Sequence, residues 1–105
     1  MDRTPAIERL AARLRDAGTR GDWDLLERAA RELVPQLEAL AAHGGWSARE
    51  RAALAGLRAA HDGAAQASAQ AAAGLQELLD DLHDNQEGRM AYALAGELEP
   101  GSTTQ

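Results

Sequence analysis

The sequence lacks several ordinary amino acids: its 105 residues include no cysteine, no lysine and no phenylalanine. Without cysteine the chain forms no disulfide and offers no thiolate to a metal ion. No apolar run approaches the roughly 18–20 residues that a bilayer-spanning helix needs. The opening residues, Met1 to Pro5, do not resemble a signal peptide. Together these absences predict a cytoplasmic protein.

Residues that favour β-strands are also scarce. The sequence has one Ile, one Val, one Tyr and two Trp, and Leu and Ala supply most of the apolar content. Leu and Ala are strong helix formers, whereas β-branched and aromatic residues favour strands. The composition therefore predicts an all-α fold, and the length suits a single domain with one core.

The charge is negative and unevenly distributed. The net charge is -6, with ten Arg and nine acidic residues up to residue 60, but one Arg and eight acidic residues from residue 61 onward. Binding to a phosphate backbone needs a basic surface. The charge therefore argues against nucleic acid as the main partner.

The longest regular pattern lies in residues 48–84 and predicts one long helix. Apolar and small residues recur there at alternating spacings of three and four, close to the period of a coiled-coil seam. Ser47 and Glu50 have the spacing of a capping box, which predicts the start of this helix. The residues of the stripe are Leu54, Leu57, His61, Ala64, Ser68, Ala71, Leu75, Leu78 and Leu82.

Two shorter helices are predicted before the long one, at about 5–19 and 23–43. Thr4 suits the N-cap of the first helix, and a glycine, Gly18 or Gly21, should end it. The apolar face of this helix consists of Ile7, Leu10, Ala11, Leu14 and Ala17. Asp22 can cap the second helix. Pro35 should kink or break it, because proline removes a backbone hydrogen bond and crowds the preceding turn.

After the long helix, the polar residues 84–88 predict a break. A short amphipathic helix at 88–98 would follow, and residues 100–105 would form a flexible tail. The apolar side chains of the predicted helix 88–98 are Met90, Tyr92, Leu94 and Leu98. Residues 1–99 would thus form one antiparallel bundle of three to four helices, whose last helix either packs on the bundle or leaves it.

No constellation in the sequence points to catalysis. Ser, His and Asp occur without a nucleophile elbow or a glycine-rich loop, and the three histidines have no zinc spacing. The acids around Asp80 and Asp81 are read as a solvated face, not as a metal site. His61 is read as a hydrogen-bonded core or register residue, with a ligand or a pH switch as the alternative. We predict no enzyme activity, no cofactor and no metal.

One short stretch resembles a known family. Residues 20–26, Arg-Gly-Asp-Trp-Asp-Leu-Leu, are similar to the "G-D/E-W-D-L" turn between the first two helices of the FliT family of flagellar export chaperones. Residues 88–92, Gly-Arg-Met-Ala-Tyr, resemble the C-terminal "A-Y" segment of that family. The order of two helices, a glycine-rich loop, a long third helix and a short fourth helix fits as well.

The resemblance implies a cytoplasmic chaperone of the flagellar type III export system. Its client would be the filament-cap protein FliD, with the export ATPase FliI and the export gate FlhA as further partners. In some bacteria the family also restrains the master regulator FlhDC. The partner-binding groove would lie along the third helix beside the second, at Leu54, Leu57, His61, Leu75, Leu78 and Leu82. The last helix, with Met90, Tyr92, Leu94 and Leu98, would cover it.

Other interpretations of the same pattern are open. The long helix could pair with its own copy in a homodimeric coiled-coil or bundle scaffold. FlgN-type chaperones, which serve the hook–filament junction proteins, are also long-helix bundles. A small secreted helical hairpin with a Trp-x-Gly turn is a further alternative, but Trp46 is followed by Ser47 and Ala48 and does not fit it.

Overall fold

The protein is all-α in the computed structural model, which describes the backbone of residues 1–98 and the side chains of residues 1–90. Three helices account for nearly all of this range: α1 (Thr4–Arg20), α2 (Trp23–Ala41) and the long α3 (Ala48–Leu98). No strand occurs within residues 1–98. The chain divides into two units, Met1–Gln70 and Ala71–Gln105. The composition predicted this fold class, and the third helix is the long one, as its periodicity predicted.

Helix α1 begins one residue earlier than expected, and Thr4 is not its cap. Thr4 is the first helical residue, and Arg3 occupies the N-cap position without a capping side chain. The backbone N–H of Thr4 instead donates to Asp2 Oδ1 at 3.0 Å. The Thr4 hydroxyl is buried and has no partner among the described residues. Thr4 loses the capping role because Arg3 is drawn into a buried cluster, described below, and Asp2 lies where it can accept the free N–H.

The corner between α1 and α2 is formed by Gly21 and Asp22. Gly21 has φ 66°, a left-handed conformation that glycine adopts without steric cost. The N–H groups of Gly21 and Asp22 donate to Gly18 O and Ala17 O, the pattern of a Schellman motif. The Asp22 side chain then accepts from Leu25 N at 3.1 Å and caps α2. Both the glycine stop at Gly21 and the Asp22 cap are confirmed.

Helix α2 runs to Ala41 and passes through Pro35 without a break. Proline at this position cannot donate to the carbonyl of Arg31. Arg31 and Pro35 both lie on the exposed side of the helix. Water can therefore bind the freed carbonyl, which explains why the predicted break does not occur.

The capping box of α3 is confirmed in both of its hydrogen bonds. Glu50 N donates to the Ser47 hydroxyl at 3.1 Å, and Ser47 N donates to Glu50 Oε1 at 2.8 Å. The predicted break at 84–88 is wrong, since α3 continues through these residues. They include no proline, and one glycine costs only about 1 kcal/mol in a helix. An i,i+4 pair between His83 and Glu87, at 3.0 Å, spans the same turn.

The core lies in the unit 1–70, where α1, α2 and the first part of α3 pack together. The predicted apolar face of α1 is confirmed, because all five of its residues are buried. From the other two helices the core receives Ala29, Leu57 and Ala60. Leucines of α2, together with Trp46, Ala53 and Leu54, pack around this centre and are only partly buried. One side of the core is therefore left as a surface groove.

Candidate functional site

An apolar groove runs between α2 and α3 in the unit 1–70. We call it the α2–α3 groove, and it has a volume of about 230 Å³. Its walls are mostly aliphatic, so it suits an apolar side chain of a partner better than a polar ligand. The residues that line it are Leu33, Leu37, Leu54, Leu57, Arg58 and His61.

Three of the residues predicted to bind a partner therefore lie together in this groove. Leu57 is only 3% exposed and belongs to the core, so it forms the floor of the groove. Leu54 is half-buried and packs against the core. The expectation that His61 occupies the core is wrong, because its side chain is 49% exposed at the edge of the groove. At about 100° per residue, His61 lies about 40° to one side of Leu57 around the helix, whereas Ala64 lies about 20° to the other side, so His61 falls at the margin of the buried face.

The groove carries a positive edge. Arg58 is exposed, and no carboxylate among the described residues lies within ion-pair distance of its guanidinium. The nearest acid to His61 is its neighbour Asp62, with 3.7 Å between Nδ1 and Oδ1. A partner that places a carboxylate beside Arg58 would thus gain a charge-assisted hydrogen bond.

The other three predicted residues form a separate surface in the unit 71–105. Leu75, Leu78 and Leu82 lie on one side of α3 together with Leu79, and each is 51–57% exposed. We call these four residues the leucine stripe. No described residue covers them. Exposed leucines that are clustered in this way mark an interaction surface more often than scattered ones.

The acidic residues between positions 77 and 87 are exposed on the same helix. Asp80 accepts from Gln76 Nε2 at 2.9 Å, and Glu87 pairs with His83. No group of three His, Asp or Glu side chains within the described part of the chain is placed to hold a metal ion. These exposed acidic residues give this part of α3 a negative electrostatic potential.

The predicted covering helix does not exist as a separate element. Residues 88–98 are a continuation of α3, and Met90 is exposed. The side chains of Tyr92, Leu94 and Leu98, and the tail 100–105, lie outside the described residues. The self-covering interpretation depended on a break at 84–88, and it loses its structural basis with that break.

Sequence reasoning missed a buried ionic cluster centred on Arg3. The guanidinium donates to Glu50 through Nε and Nη2, at 2.8 and 3.0 Å, and to the carbonyl oxygens of Leu40, Gly44 and Gly45 at 2.6–3.1 Å. It also lies 4.0 Å from the ring centre of Trp46. Arg3 and Glu50 are each about 4% exposed. The cluster ties the start of α1 to the loop between α2 and α3.

This cluster strongly perturbs Glu50. Hydrogen bonds from the Arg3 side chain, and then from the backbone N–H groups of Ser47 and Arg3, hold the pKa of the Glu50 carboxyl well below its usual range. The capping box indicated the role of Glu50 within α3. No sequence signal indicated Arg3, since 47 residues separate the two partners.

None of the described helices combines the length and the apolar character that a membrane span requires. No protein-family model, curated protein or solved structure matches this chain. The Gly21–Asp22–Trp23 turn that resembles the FliT family has a local explanation, since its residues form the helix corner described above. The α2–α3 groove and the leucine stripe are therefore the two candidate interaction surfaces of the chain.

Proposed function

We propose that this chain is a FliT-like export chaperone that binds an amphipathic helix of the filament-cap protein FliD. The observation that carries the proposal is the α2–α3 groove, in which leucines of two helices surround an open apolar channel. Grooves between helices accept a partner helix through apolar side chains at i, i+3, i+4 and i+7. The chaperone would keep this client segment covered until delivery to the export apparatus.

The energetics suit reversible binding. Each large apolar side chain that the groove buries contributes roughly 1.5–3 kcal/mol. Ordering the client segment and losing its translational freedom offsets a large part of this gain. The balance favours an affinity that holds the client but allows its release.

The order of elements also supports the proposal. Two helices joined by the Gly21 corner precede a glycine-containing loop and a long third helix, as the resemblance implies, although the short fourth helix is not a separate element. Contacts with the export ATPase FliI, the export gate FlhA and the regulator FlhDC belong to the same proposal. The proposal does not name particular residues of this chain for these contacts.

Isothermal titration calorimetry with purified filament-cap protein tests the proposal. Leu54→Ala should weaken binding by about 1–2 kcal/mol, or roughly five- to thirtyfold in Kd, because it removes part of the groove wall. Leu25→Ala is the matched control, since Leu25 is half-buried on α2 but outside the groove. Circular dichroism establishes that both variants are folded.

The outcomes separate the alternatives. Binding that is lost in the groove variant and retained in the control supports the proposal. If the filament-cap protein does not bind but a hook–filament junction protein does, the FlgN-type alternative replaces it. If neither binds to the folded chain, the export-chaperone function is rejected.

A further inference from the structure

The α2–α3 groove and the leucine stripe are two uncovered apolar surfaces in one chain. We propose that the groove of one copy is occupied by the leucine stripe of a second copy, and that the exchange is reciprocal. This self-association goes beyond the proposed function and does not depend on the identity of the client. It adds a form of regulation, because a client helix would have to displace the second copy.

The leucine stripe has the chemistry that the groove accepts. Leu75, Leu78 and Leu82 follow one another at spacings of three and four, and Leu79 widens the same face. All four are more than half exposed, and nothing in the described part of the chain covers them. A helical face of this kind fits between two helices that already present leucines to solvent.

The distribution of charge favours groove-to-stripe pairing over stripe-to-stripe pairing. Residues 1–70 contain ten Arg and ten acidic residues and are neutral, whereas residues 71–105 contain one Arg and seven acidic residues, a net charge of -6. Two stripes in contact would bring two segments of net charge -6 together, at a cost in repulsion. The groove instead offers Arg58 without an acidic partner among the described residues.

The acid best placed to meet Arg58 is Asp81. On a helical wheel it lies beside the leucine stripe, next to Leu78, whereas Asp80 and Asp84 point further away. An arginine at the edge of a groove and a carboxylate at the edge of a stripe give both attraction and orientation. Reciprocal exchange makes the contact isologous, so a closed dimer forms and not an open chain of copies.

Sedimentation equilibrium of the full chain over a wide range of concentrations is the first test. A monomer–dimer equilibrium is expected. Leu78→Glu should raise the dimer Kd about tenfold or more, because it places a charge in the apolar contact. Ala73→Glu adds the same charge to the opposite side of the helix and should leave the Kd nearly unchanged.

Charge reversal tests the groove side. Arg58→Glu should weaken the dimer, whereas Arg28→Glu, an equal change of charge on the outer side of α2, should not. Adding Asp81→Arg to the Arg58→Glu variant should restore part of the affinity. A structural defect in the single variant would not be rescued in this way.

Cross-linking identifies which surfaces meet, and the absence of cysteine from the chain makes single-cysteine variants unambiguous. A His61→Cys copy, mass-tagged, is mixed with a Leu78→Cys copy and treated with a short bismaleimide. The mixed product should dominate, and Ala73→Cys in place of Leu78→Cys should give little of it. A chain that stays monomeric at all concentrations overturns the inference, and so does a dimer linked mainly through two copies of Leu78→Cys.

The same variants keep this inference separate from the proposed function. A dimer with these properties that binds no flagellar client supports the self-association and rejects the chaperone function. A chain that stays monomeric but binds the filament-cap protein supports the chaperone function and overturns the self-association.

Discussion

Gly18 of α1 lies directly against Ala64 of α3, and replacing it tests the packing of the unit 1–70. A Cβ atom on Gly18 would lie 3.2 Å from the Cβ of Ala64 and 3.3 Å from its Cα, which is tighter than ordinary van der Waals contact. The same addition at Gly63 or Gly56 meets nothing within 4 Å. The three glycines therefore separate the cost of crowding from the gain in helix propensity.

The two substitutions Gly63→Ala and Gly18→Ala should change the stability of the protein in opposite directions. Gly63→Ala should stabilise the protein by about 0.5–1 kcal/mol, because alanine is the better helix former and has free space. Gly18→Ala gains less propensity near the end of α1 and adds overpacking, which typically costs about 1–3 kcal/mol. We expect it to be less stable than Gly63→Ala by about 1–3 kcal/mol. Each kcal/mol corresponds to a shift of roughly 4–8 °C in Tm for a domain of this size.

Urea denaturation followed by tryptophan fluorescence is the appropriate assay. Trp23 and Trp46 both lie in the unit 1–70, so their emission reports the unfolding of that unit. Gly56→Ala serves as a second open-space control. Should Gly18→Ala prove as stabilising as the two control substitutions, the close approach of α1 to Ala64 would be refuted.

Two further predictions concern the core and the buried ion pair. Leu57→Ala should lower the free energy of unfolding by about 2–5 kcal/mol in urea denaturation. Leu78→Ala, on the exposed leucine stripe, should change it by less than about 0.5 kcal/mol when the chain is monomeric. Equal effects of the two substitutions would contradict the assignment of Leu57 to the core. Because the folded pKa of Glu50 is lowered, its ion pair with Arg3 stabilises the fold above the ordinary glutamate pKa of about 4.3, and this contribution is lost as the pH falls below that value toward the folded pKa. The difference in Tm between the wild type and Glu50→Gln should therefore shrink on acidification from neutral pH, and a constant difference would show that the charge of Glu50 contributes nothing.

Local signals were read correctly where the chemistry is local. The capping box at Ser47 and Glu50, the Asp22 cap and the glycine stop at Gly21 each involve residues no more than five positions apart. The buried face of α1 follows from helical periodicity alone. Thr4 is not a cap because longer-range contacts engage Arg3, and the helix does not break at Pro35 because the freed carbonyl is exposed to solvent.

The break expected at 84–88 shows a second limit of prediction from the local sequence. Polar composition and one glycine are compatible with a loop, but they are equally compatible with an exposed helix. The i,i+4 pair between His83 and Glu87 adds to the helix there. The expected covering helix failed with this break, so the part of the predicted site that depended on it failed too.

The sequence by itself determined the fold class, the starts of α2 and α3, and the leucine content of the candidate surfaces, because helix propensity and capping act within a few residues. Only the tertiary structure decided which leucines are covered. Leu57 and Leu78 occupy equivalent positions in one repeating pattern, yet α1 and α2 bury the first and nothing described covers the second. The Arg3–Glu50 cluster was likewise decided by tertiary structure, since its partners meet only when the start of α1 packs against the start of α3.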